Sequence, residues 1–170
     1  MDQNIIIRKA IESDAEQLIQ HMRIVLKENS HFLGTSLEDY HPTLEEEMTW
    51  INTHNQNGLV LVAEVNITII GFLYFRLSTS KKFSHKGIFG MTIQELYTNK
   101  GIGSALIKQM LEWAEKNKRV EKITLEVFSN NERAIHLYKK HGFIEEGRLV
   151  KNAKLGPNEY VDDILMSRFV

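Results

Sequence analysis

The spacing of apolar positions changes several times along the chain, and each change marks an element. "IIIRKAIESDAEQLIQHM", from Ile5, opens as a short apolar strand and passes into a helical pattern, with Ser13 and Glu16 spaced as a capping box. A second helix is expected over Leu44 to Thr53. "GLVLVAEV" and "TIIGFLYFRL", rich in β-branched and aromatic residues, read as the two strands of a hairpin turned at Asn66 and Ile67. "GIFGMTI" follows as a third strand in succession. Beyond the glycines at 101 and 103, Ile102, Leu106, Met110 and Trp113 recur at helical spacing, flanked by Ile107, Leu111 and Ala114, which predicts a helix with a wide buried face. "KITLEVF" is then a strand, "NERAIHLYKKHG" a helix stopped by Gly142, and "EYVDDILMSRFV" a closing strand. Strand, two helices, three strands, helix, strand, helix and strand or strands fit a mixed sheet with helices packed on it.

Composition narrows the classes. With 170 residues, 42% of them apolar and 25% charged, the chain suffices for one sizeable core, so residues 1–170 are expected to form a single domain. Neither a linker nor an internal repeat interrupts it. No run approaches the roughly 20 apolar residues that span a bilayer, and "MDQNIIIRKA" lacks the features of a secretory leader, so a cytoplasmic location and no membrane partner are expected. The absence of cysteine excludes disulfides, thiolate nucleophiles and cysteine-based zinc sites. A formal net charge of -1 argues against nucleic acid as the main partner. The seven histidines show no HExxH or comparable spacing, and no metal is implied.

"YTNKGIGSAL" carries the first chemistry. A strand that runs into a turn over Thr98, Asn99, Lys100, Gly101, Ile102 and Gly103 and then, with Ser104, into a helix would leave backbone N–H groups unpaired at the helix N-terminus, with Lys100 adding charge. The macrodipole favours an anion there by roughly 0.3–1 kcal/mol, and the missing β-carbons at Gly101 and Gly103 let it approach the main chain. The same glycines also serve a tight strand-to-helix turn. The dinucleotide fingerprint fails because Leu106 stands at its third glycine, and the Walker loop fails for want of Gly-Lys-Ser/Thr.

"TLEVFSNNERAIHLYKKHGF", at this distance behind "YTNKGIGSALIKQMLEWAEK", resembles the GNAT superfamily of acetyl-CoA-dependent N-acetyltransferases. The family's Q/R-x-x-G-x-G/A pattern would fall on Thr98-Asn99-Lys100-Gly101-Ile102-Gly103, with Thr98 as a departure. Its N-x-x-A-x-x-L-Y pattern followed by G-F is matched by Asn131, Ala134, Leu137, Tyr138, Gly142 and Phe143. The resemblance extends over nearly the full chain, most weakly between His31 and Gly58. It implies an α/β (α+β) fold: a mixed, mostly antiparallel sheet of six to seven strands, helices on both faces, and fourth and fifth strands splayed to admit an acyl-pantetheine arm. It further implies acetyl-CoA as co-substrate, its pyrophosphate held by the glycine loop and Ser104, with Asn131, Ala134 and Tyr138 beside the arm.

Acyl transfer to an amine needs a neutral nitrogen, support for the developing oxyanion and a proton for the departing thiolate. By resemblance to the ribosomal-protein N-terminal acetyltransferases, Glu126 of the L-E-V stretch would be the base and Tyr138 the acid. Glu95 is a second candidate base. Each also has a plainer reading, Glu126 as a solvated strand carboxylate, Glu95 as a turn residue, Tyr138 as a core tyrosine, and Asn131 as a helix cap in competition with a Ser129–Glu132 capping box, with the acid role preferred for Tyr138. The backbone N–H near Ile93 is the expected oxyanion donor. The acidic groups Glu38-Asp39, Glu45-Glu46-Glu47 and Asp162-Asp163 could attract a cationic amine but read more simply as solvated faces. His31, Phe32, Tyr40 and His41 fall where the family shapes its acceptor pocket. The acceptor is expected to be a small-molecule amine such as an amino acid, polyamine or amine antibiotic. A protein N-terminus or lysine, and a non-catalytic acyl-CoA sensor, stay open as alternatives, as does monomer or homodimer.

Overall fold

A computed structural model describes residues 4–170. Seven strands and four helices follow one another as β1 (Ile5–Lys9), α1 (Ala15–Asn29), α2 (Leu44–Gln56), β2 (Gly58–Val65), β3 (Thr68–Leu77), β4 (Lys86–Ile93), α3 (Ile102–Lys116), β5 (Lys122–Phe128), α4 (Glu132–Lys140), β6 (Ile144–Gly156) and β7 (Glu159–Phe169). They build one sheet in the order β1-β2-β3-β4-β5-β7-β6, antiparallel except where β4 meets β5.

The hairpin between β2 and β3 turns at Asn66 and Ile67, both in the left-handed region at φ 48° and 63°. Two consecutive positive φ values match the right-handed twist of the flanking strands, so the connection stays at two residues even though Ile67 is a costly residue for that conformation. Successive side chains of β2 enter opposite cores. Leu59, Leu61 and Ala63 join Leu73, Phe75, Leu106, Met110 and Leu125 under α3 and α4, while Val60 and Val62 join Leu18, Ile51 and Phe72 under α1 and α2. A strand covered on both faces has no polar side to show, which is why it reads as a continuous apolar run.

Three local expectations need correction. The Ser13–Glu16 capping box does not form. A 3-10 turn, Glu12–Asp14, precedes α1, and the buried Asp14 carboxylate accepts the Ile11 amide at 2.9 Å and two Arg8 bonds at 2.7 and 2.8 Å. Glu64 holds the other side of Arg8 at 2.8 Å. The Ser129–Glu132 box is likewise absent, because the Ser129 hydroxyl accepts the Asp162 amide at 3.1 Å. The helix α2 continues past Thr53 to Gln56.

The parallel pairing of β4 and β5 ends early. It comprises Lys86 with Lys122, Gly87 with Ile123 and Ile88 with Thr124. Beyond that point β4 stays on β3 and β5 stays on β7, so the two strands part. Phe89, Tyr138 and Phe143 pack as a ring cluster beside the parting, with centroids 5.5 to 6.2 Å apart.

Candidate active site

Below the parting strands lies a cleft of about 620 Å³. Its walls are Met91, Thr92 and Ile93 of β4, the loop residues Tyr97, Thr98 and Asn99, the start of α3 from Gly101 to Ser104, and one side of α4 that includes Asn131, Arg133, Ala134, Leu137, Tyr138 and Lys140. Val25 and Asn29 of α1, with Phe32 and Leu33 just after it, close the far side.

At one end of the cleft the start of α3 leaves its amides unpaired. Gly101 caps α3 at φ 80°, a left-handed conformation that any β-carbon would strain. The first helical bond runs from the Ala105 amide to the Gly101 carbonyl at 3.0 Å. The amides of Ile102, Gly103 and Ser104 therefore precede the ladder, at the positive end of the helix dipole. Gly101 has open space where a β-carbon would stand, as an approaching anion requires. Gly103 differs. It is buried, and a β-carbon there would lie 2.8 Å from Leu137 Cδ2 and 3.3 Å from Met91 Cε, so its bareness serves the close packing of α3 against α4 and β4. The Ser104 hydroxyl is 2.9 Å from His141 Nε2 and ties the two helices. Lys100 turns out of the cleft wall, its ammonium 5.2 Å over the Tyr97 ring.

The opposite end is the gap. On β4 the Gln94 amide donates to the Ile70 carbonyl and the Ser78 amide to the Lys86 carbonyl, so even-numbered residues of β4 exchange backbone bonds with β3. The alternation turns the amides of Met91 and Ile93 toward the side where β5 has departed. Tyr138, 7% exposed, projects from α4 toward the same place, and burial, ahead of a smaller electrostatic effect of the neighbouring Tyr74, pushes its phenol well above the ordinary range. The hydroxyl therefore stays protonated through the neutral range.

Glu126 and Glu95, neither of which lines the cleft, sit in contrasting surroundings. Glu126 is exposed on β5, on the sheet face opposite Leu125 and Val127. Glu95, beyond the end of β4, is gripped by Arg133 through two bonds of 2.8 and 2.9 Å, with Asn29 at 3.3 Å. The Arg133 bonds, ahead of the other contacts, draw its pKa down to about 2. So weak a base is better suited to tying the end of α1, the end of β4 and α4 together. The Asn131 side chain accepts the Ala134 amide at 3.2 Å and caps α4 while also lining the cleft. Among the described residues, no group of three or more metal-ligating side chains gathers.

The sequence reading missed Arg133, Asn29 and Leu33, and it missed the aromatic floor on the other face of the sheet. There Trp50 lies 4.1 Å from His54 and 5.6 Å from Tyr74 between ring centroids. Trp50 and His54 share a helical face at a spacing of four, a signal legible in hindsight; Arg133 has no local signal for its partner 38 residues away.

A mixed sheet with one parted strand pair, an amide-lined helix start at one end of the cleft and a buried tyrosine at the other defines an acyl-CoA-type transferase fold. The chain belongs to the GNAT acetyltransferase family, whose profile matches residues 21–143. It is 38% identical over 108 residues to the L-amino acid N-acetyltransferase AaaT of Escherichia coli, an alignment covering 64% of this chain and 66% of that protein, just under two thirds of its length. It is 29% identical over 151 residues to an N-alpha-acetyltransferase of Sulfurisphaera tokodaii, covering 82% of this chain and 80% of that one. Among solved structures, a GNAT-family acetyltransferase from Streptococcus pneumoniae superposes with a TM-score of 0.92 at 29% identity, covering 98% of this chain and 99% of that one.

Proposed function

We propose that this chain, acting over residues 1–170 as one catalytic unit, transfers acetyl from acetyl-CoA to the primary amine of a small molecule of the amino-acid or polyamine class. The observation that carries the reading is the parting of β4 from β5, with Tyr138 on one face of the gap, Glu126 on the other, and the α3 amides at the far end of the same cleft. Acetyl-CoA, when bound, supplies an acyl group already activated as a thioester. The α3 amides and the open space at Gly101 suit a pyrophosphate, and the walls of Met91, Ile93 and Leu137 suit an uncharged arm. The Ile93 amide would hold the carbonyl oxygen as it gains charge. Tyr138 Oη would give its proton to the leaving sulfur, and Glu126 would take the proton from the nitrogen.

A small acceptor is favoured because its side of the gap is walled. Trp50 and His54 of α2 pack tilted against each other and edge-on to Tyr74 of β3, which closes the sheet face on that side with aromatic rings, and burial pushes the Tyr40 phenol and the Glu47 carboxyl above their ordinary values. Thiol release from acetyl-CoA, followed across amino acids, polyamines and short peptides with open N-termini, tests the assignment. Fast turnover of single amino acids or polyamines supports it. Peptide-only turnover would move the acceptor to protein N-termini, and acetyl-CoA binding without turnover would make the chain a sensor.

A further inference from the structure

Tyr74 has so far figured only through its ring, as part of the aromatic wall, yet the sheet register delivers its hydroxyl to the acceptor mouth of the gap. On the face toward α1 and α2 the side chains form rows across the strands. Arg76, Ile88 and Thr124 make the last complete row before β4 and β5 part. In the next row Tyr74 pairs with Gly90, and Glu126 stands two residues beyond Thr124 on the far side of the gap. Gly90 has no side chain to separate them. A β-carbon at Gly90 would fall 2.6 Å from Tyr74 Cε1 and 2.9 Å from its hydroxyl oxygen, so the polar end of the ring lies directly over the β4 backbone at the start of the gap. The ring is fixed there by Trp50 and His54, edge-on at 5.6 and 5.5 Å.

We propose that Tyr74 is a further catalytic residue, whose hydroxyl seats the acceptor amine and passes its proton to Glu126. The proposal rests on the transferase reading. As the nitrogen forms its bond to the acyl carbon with its lone pair, one N–H bond breaks and that proton goes to Tyr74 Oη. The phenolic O–H bond breaks in the same step and its proton passes through a water in the gap to the Glu126 carboxylate, so the phenol is restored neutral and the carboxylic acid later returns its proton to bulk water. Charged and titratable groups facing Tyr74 are Arg76 on its own strand, His54 from α2, Glu126 from β5 and Tyr138 from α4. Burial outweighs the opposing pull of Arg76 and, with a smaller contribution from Glu126, keeps the phenol protonated through the neutral range. A relay phenol must be in that state to donate.

Tyr74→Phe deletes only the hydroxyl. Turnover is expected to fall about 100-fold, within the range of general acid–base groups, with acetyl-CoA affinity unchanged. Combining it with Glu126→Gln should cost no more than the worse single change, because the two act on one proton. Gly90→Ala, which displaces the hydroxyl by steric contact, should reproduce the loss with Tyr74 still present. Parent-like turnover in Tyr74→Phe, or losses that multiply in the double variant, would overturn the relay and leave the transferase reading standing. If the parent protein binds acetyl-CoA but releases no thiol with any amine, the transferase reading falls and the relay with it.

Discussion

His21 gives the most direct physical test of the structure. It is 1% exposed on α1, with one ring nitrogen 3.3 Å from the Gln94 side-chain amide and the other 2.9 Å from the Thr92 hydroxyl. The amide nitrogen of Gln94 can only donate, so Nδ1 accepts and the proton sits on Nε2, which donates to Thr92. Burial pushes the pKa from 6.5 down to about 4. Between these values the unfolded chain binds a proton that the folded chain refuses, so stability falls as pH drops from 6.5 and stops falling on this account below about 4. At about 1.36 kcal/mol per pH unit the full loss is roughly 3 kcal/mol, a large part of the 5–15 kcal/mol that typically holds a domain together. His54 and His141 are also pushed down by burial and add to the slope, so the parent curve alone is not diagnostic. His21→Gln removes the titrating ring while keeping a donor and an acceptor. Urea unfolding at constant ionic strength from pH 7.5 to 4 should show the parent more stable at the upper end and its advantage shrinking by roughly 3 kcal/mol at the lower. Parallel curves would refute the neutral, buried histidine and the anchoring of α1 on Thr92.

Tyr138→Phe should lower turnover about 100-fold with acetyl-CoA affinity and folding nearly unchanged; steady-state rates beside a binding isotherm check it, and equal losses in both would make Tyr138 a cofactor-positioning group. Gly103→Val should destabilise by about 1–3 kcal/mol through overpacking against Leu137 and Met91, and Leu137→Ala in the same chain should recover part of the loss in denaturant midpoint. Asn131→Ala should cost about 1 kcal/mol as a lost helix cap, visible as faster hydrogen exchange at the Ala134 amide.

The chain's own pattern determined the element order, the two-residue turn at Asn66 and Ile67, the anion-ready start of α3 and the placing of Tyr138, because each depends on residues within a few positions of one another. Periodicity and capping are local, and a helix N-terminus exposes its amides wherever it occurs. The tertiary structure decided what depends on distant partners. Glu95 looked like a possible base until Arg133 closed on it from α4, and Gly103 looked bare until Leu137 filled its space. Asp14 displaced the expected capping box because Arg8 of β1, held on its other side by Glu64 of β2, bonds its carboxylate. The edge strand β6 is exposed at most positions, so it had no alternation to betray it. Tyr74 and Glu126 are 52 residues apart in the sequence, and only the strand register, with a glycine between them and a parallel pairing that stops at Ile88, sets them across one gap. Side chains meet across a sheet according to which strands pair and where the pairing ends, and no window of sequence carries that information.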